Sequence, residues 1–94
     1  MGLNINLTMT DNVIRCEIIV IKKDKKKYID FLFLGEEVQV LKFGGAQMTD
    51  EEVRNFYFDY ICVDAKEGLG NYNIANQIFS KYFELTDNSV KESE

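Results

Sequence analysis

The sequence predicts an α+β domain: a four-stranded antiparallel β-meander followed by two C-terminal helices. Three observations predict it. Residues 3–9 alternate apolar and polar side chains without a break, and three further apolar segments rich in β-branched residues or aromatics follow at short spacing. Thr49 and Glu52 then stand at capping-box spacing ahead of a run with helical periodicity.

The first strand is Leu3 to Met9. Successive side chains on a strand point to opposite faces, so Asn4, Asn6 and Thr8 face outward. Thr10-Asp11-Asn12 is a turn, since Asp and Asn bond their own backbone and tolerate unusual dihedrals. The second strand runs from about Val13 to Ile21 with Ile14, Cys16, Ile18 and Val20 on one face. Its other face begins polar at Arg15 and Glu17 and turns apolar at Ile19 and Ile21, which predicts cover on both faces of its second half. A charged connection, Lys22 to Lys27, leads to a third strand from Tyr28 to Leu34. Gly35-Glu36-Glu37 is the next turn, Val38 to Phe43 the fourth strand, and Gly44-Gly45 its end.

At the first helix the Thr49 hydroxyl can accept from the Glu52 amide, and the Glu52 carboxylate from the Thr49 amide. Met48 and Val53 occupy the two positions of a hydrophobic staple. Asp50, Glu51 and Glu52 set negative charge at the positive end of the helix dipole. The spacing of Val53, Phe56, Tyr57, Tyr60 and Ile61 carries this helix to about Ala65. The β propensity of residues 56–63 offers a fifth strand as the alternative. Gly68-Leu69-Gly70 ends the element. Ile74, Ile78, Tyr82 and Leu85 mark a second helix, with Asn71 or Asn73 as its cap. Residues 1–85 therefore make one domain, and the polar stretch 86–94 is an acidic disordered tail.

Composition narrows the function classes. With no histidine among 94 residues, there is no imidazole to serve a Ser or Cys nucleophile and none to complete a zinc site. An enzyme is disfavoured, and neither a cofactor nor a metal is expected. Cys16 and Cys62 form no CxxC pair and read as reduced, buried thiols. No apolar run reaches the length of a membrane span, no secretory leader is evident, and position 6 lacks the Ser or Thr that favours myristoylation. The expected location is the cytoplasm. Abundant Lys, Asn, Ile, Phe and Tyr, with no Pro or Trp, suit an AT-rich genome such as that of a bacterium or phage.

Charge is uneven. Residues 1–27 carry six basic and three acidic side chains; residues 28–94 carry five basic and thirteen acidic, and the net charge is −5. Phosphate repulsion then opposes general nucleic-acid binding. An acidic surface comprising Glu51, Glu52, Asp59 and Glu67 is the candidate contact for a protein target, one that itself has a basic, nucleic-acid-binding surface. The leading functional expectation is a small protein-binding module acting by occlusion: an inhibitor, an antitoxin-like protein, or a phage accessory or anti-defence protein. The alternative is capture of a nucleotide or other anion at a homo-oligomer interface, through Lys22, Lys23, Lys25, Lys26 and Lys27 with Gly70 and Asn71 at a helix start. A third expectation is a structural or assembly subunit.

Overall fold

A computed structural model describes residues 2–62 and 70–92, with side chains in the last helix described to Asp87. β1 (Gly2–Thr10), β2 (Val13–Lys22), β3 (Lys25–Leu34) and β4 (Glu37–Lys42) form one antiparallel sheet in the order β1-β2-β3-β4, the predicted meander. Each hairpin closes over two residues. Asp11 and Asn12 have φ of 47° and 69°, and Lys23 and Asp24 have 50° and 63°, the left-handed pair of a type I′ turn. The third hairpin puts Gly35 at φ 66° first in its loop, as a type II′ turn demands. These turns match the right-handed twist of the strands. The charged connection is accordingly shorter than its lysines suggest: Lys22 ends β2, Lys25 to Lys27 begin β3, and only Lys23 and Asp24 turn.

The register stacks apolar rows across one face. Ile5, Ile18 and Ile29 align, as do Leu7, Cys16, Phe31 and Val40. Both helices pack on this face, so Ile18, Val20, Ile29 and Phe31 are fully buried. Ile19 and Ile21 depart from the sequence reading. They lie on the opposite face, which no described helix covers, and are only half-buried among cross-strand neighbours such as Tyr28 and Lys26.

α1 (Asp50–Phe56) starts with the predicted capping box. The Glu52 amide donates to Thr49 Oγ1 at 3.2 Å and the Thr49 amide to Glu52 Oε1 at 3.1 Å. Met48, the residue before the cap, packs beside the core, and Val53 is fully buried. The chain continues as a π-helical turn, Tyr57–Ile61, closed by the Cys62 amide donating to the Tyr57 carbonyl. Residues 57–61 are therefore helical, and the fifth strand does not form there. Tertiary packing overrides β propensity, because Phe56 and Ile61 are buried against the helix-covered face and its neighbours. The predicted helix end near Ala65 lies outside the described residues.

α2 (Gly70–Glu92) differs from expectation at both ends. Asn71 and Asn73 sit inside its first turn rather than before it, and Asn71 Nδ2 instead donates to the Leu3 carbonyl at 3.1 Å. At the other end the helix takes in residues 86–92 of the stretch read as a disordered tail. Thr86 Oγ1 donates back to the Tyr82 and Phe83 carbonyls, a pattern that lets a threonine remain helical.

Phe79 joins the layers. Its ring meets Phe31 of the sheet edge-on at 4.9 Å and also packs against Phe56, Tyr57 and Phe83. Aromatic pairs of this geometry add about 0.5–1.5 kcal/mol each beyond their burial. Truncating Phe79→Ala should cost about 3–5 kcal/mol, whereas Thr49→Ala should cost about 1 kcal/mol through loss of one cap. Equilibrium denaturation of the two variants tests the ranking; equal losses would mean that the cap, not the ring junction, governs docking of α1.

Candidate functional site

Among the described residues, the sheet and α2 form an apolar groove. It follows from geometry. α2 is tied to the start of β1 by Asn71 and, farther along, to the start of α1 by the Tyr82 hydroxyl donating to Asp50. Near its end, Leu85 and Thr86 lie beside Glu36, Glu37 and Val38 at the β3–β4 turn. The helix therefore crosses the sheet from the β1 edge to the β4 edge. Leu3 lies under it and is 6% exposed, but Leu7 and Met9, on the same face of the same strand, are 60% and 73% exposed. Ile14 of β2, the register partner of Met9, is exposed beside them, and Ile74 of α2 is exposed across the gap.

The groove encloses about 740 Å³, and its walls are Leu7, Met9, Ile14, Phe33, Ile74 and Ile78. Cys16 lies on its floor, and burial pushes that thiol above its ordinary range. Lys81 is the one charged side chain among the described residues that line it. Sequence reasoning missed this site. Its signal was present in β1, where every second residue to Met9 is apolar although the helix available to cover that face crosses it obliquely.

Of the predicted acidic surface, one described residue, Glu52, is committed to structure. Glu52 holds the capping box and an ion pair with Lys42 at 3.3 Å, and the Thr49 amide and Lys42 together hold its carboxyl below the ordinary carboxylate range. Asp50 accepts from Tyr82. Glu51 and Asp59 are exposed, and Asp59 borders a shallow depression that Lys27 and Lys42 also line. Glu67 lies outside the described residues. Lysines of β3 and β4 thus lie beside Asp59 and Glu52 on this surface.

The lysine run divides by strand alternation. Lys22, Lys25 and Lys27 belong to the register of the helix-covered face, Lys26 to the opposite face, and Lys23 to the turn. Gly70 and Asn71 come to the same end of the sheet, because Leu3, bonded to Asn71, is in register with Val20 and Lys27. The Asn71 amide is already engaged with the Leu3 carbonyl.

Cys16 and Cys62 are free thiols, Cys16 buried and Cys62 half-buried. Among the described residues no group of His, Cys, Asp and Glu is arranged to hold a metal, and no helix is long and apolar enough to cross a membrane. Comparison with protein-family models, with curated proteins and with solved structures found no match to this chain.

Two hydrogen-bonded groups at the start of α1, Glu52 and the Tyr82 hydroxyl, set opposite pH limits. Glu52, depressed in the folded state, contributes stability above its ordinary value of 4.5 and loses it as pH falls through its folded value. Tyr82, raised by burial and by its bond to Asp50, contributes stability that is complete below its ordinary value of 10.0 and declines as pH rises past it. Denaturation across pH should show Tyr82→Phe flattening the alkaline decline and Glu52→Gln flattening the acid one. An unchanged slope in either variant refutes that assignment.

Proposed function

We propose that this protein is a binding module for another protein and that the groove beside α2 is its docking site, acting by occlusion of the segment it takes. The observation that carries this reading is the exposure of Leu7, Met9, Ile14 and Ile74 around one concave apolar surface. Contiguous apolar surface of this kind is costly to leave in water, and concave examples suit the apolar face of a helix with anchors at i, i+3, i+4 and i+7. Lys81, the one cation at the rim, favours a segment carrying a carboxylate beside its apolar stripe. The partner we propose is therefore an amphipathic helix with an acidic flank.

This reading moves the contact away from the acidic face of α1, whose Glu52 and Asp50 already have intramolecular partners. Binding rather than catalysis fits the absence of histidine from the chain. The two free thiols fit a reducing compartment such as the cytoplasm, bacterial or otherwise.

The test uses a fluorescently labelled helical peptide with leucines at i, i+3, i+4 and i+7 and glutamates on one flank. Saturable binding by anisotropy is expected, together with slower modification of Cys16 by a thiol reagent. Ile74→Glu should lower affinity at least tenfold, while Glu51→Lys with Asp59→Lys should leave it within about twofold, since a tenfold change corresponds to about 1.4 kcal/mol. Absence of saturable binding, or equal affinity in Ile74→Glu, would overturn the groove assignment.

A further inference from the structure

The two edges of the sheet are treated differently by the chain. At β4 the outer edge is occupied: the Met48 amide donates to the Val40 carbonyl, the Lys42 amide to the Ala46 carbonyl, and Leu41 bridges to Gln47. At β1 the register fixes which backbone groups face out. Thr10 and Val13 flank a two-residue turn, so they exchange both hydrogen bonds, and the pairing alternates from there. Thr10, Thr8, Asn6 and Asn4 bond to β2, while Met9, Leu7, Ile5 and Leu3 present their amides and carbonyls to the open edge. The same counting from Leu34 and Glu37 assigns Val40 and Lys42 to the outer edge of β4, where their bonds are found. Leu3 agrees too, since its carbonyl accepts from Asn71.

Among the described residues, none takes up the outward backbone groups of Ile5, Leu7 and Met9 at β1. Natural sheets protect such an edge with charge, proline, bulges or a covering loop. β1 has no charged residue and no proline, and it pairs with β2 in unbroken register over its whole length.

We propose that the protein forms a two-fold symmetric homodimer by antiparallel pairing of β1 with β1 of a second copy, centred on Leu7. Ile5 then faces Met9 of the second copy and Leu7 faces its own counterpart, giving about six backbone hydrogen bonds at two per facing pair. Segment 5–9 is self-complementary in this register: Ile5, Leu7 and Met9 meet on the helix-covered face, and Asn6 meets Thr8 on the other. Strands pairing about a perpendicular two-fold keep like faces together, so two four-stranded sheets become one of eight strands with both grooves on the same side. The exposed side chains of Leu7 and Met9 come to lie at the dyad. Because segment 46–48 covers the β4 edge, pairing stops at two copies rather than growing into a filament. The dimer rests on the strand edge and stands whether or not the groove takes a helical peptide.

Sedimentation equilibrium on the intact chain across a dilution series tests it. A reversible monomer–dimer equilibrium is expected. Asn6→Lys with Thr8→Lys puts lysines directly opposite each other twice across the dyad. Both positions are exposed and outside the groove, and the side chain introduced by Asn6→Lys still faces Glu17 within its own sheet. That variant should be monomeric with an unchanged circular dichroism spectrum. The corresponding Asn6→Glu, Thr8→Glu variant should be monomeric alone and should form heterodimers when mixed with the lysine variant. A wild-type chain that stays monomeric, a lysine variant that still dimerises, or charge variants that do not pair when mixed would each overturn the proposal. Peptide binding by the monomeric lysine variant reads the groove separately.

Discussion

The packing of Phe79 against Phe31 is the contact on which the rest of the molecule depends. A single sheet with one apolar face cannot bury that face alone, and two helices reached by different routes must meet on it. Phe79 sits where they meet. Its ring touches the sheet through Phe31, α1 through Phe56, the π-helical turn through Tyr57, and its own helix through Phe83. Tyr82 adds a second ring against Phe31 and donates its hydroxyl to Asp50 at the start of α1. Burial of apolar area supplies the driving force, and the edge-on geometry selects one arrangement from among the compact ones.

The oblique course of α2 is what turns this fold toward function. Its first turn is fixed at the β1 edge by Asn71 and its later turns lie near β4, so one corner of the sheet is left uncovered by the described residues. Antiparallel strands of nine or ten residues extend about 30 Å at roughly 3.4 Å per residue. A helix crossing such a face at an angle covers a band about 10 Å wide. The strand starts and ends on the far side of that band, Leu7, Met9 and Ile14 among them, keep an apolar pattern without a partner. The groove and the open β1 edge adjoin because the same two residues, Leu7 and Met9, contribute side chains to one and backbone to the other.

Electrostatics plays a supporting part. The acidic residues at the start of α1 serve the cap, the dipole and Tyr82, and the nearby lysines of β3 and β4 temper what remains. Arg54 shows the same economy. It lies over the ring of Phe83 at 5.0 Å and pairs with Asp87 at 3.3 Å, which ties α1 to α2 on their exposed side. Exposed pairs of this kind contribute about 0–1 kcal/mol. They orient helices that the aromatic cluster already holds.

Local chemistry was legible in the sequence. Period-two alternation gave the first strand and its inward face, apolar runs bounded by turn residues gave the other three, and Asp11-Asn12 marked a turn. Thr49 and Glu52 marked a helix start to the residue, since each signal lies within a few positions of its effect. The length of the lysine connection, the fate of residues 57–61 and the burial of Ile19 and Ile21 were not legible, because propensity and pattern leave them degenerate. They were decided by which surface came to lie against them. The candidate site belongs to the second kind. Alternation in β1 says that Leu7 and Met9 face the helices; only the angle at which α2 crosses the sheet, set by contacts between residues as far apart as Leu3 and Asn71, decides that no described helix covers them.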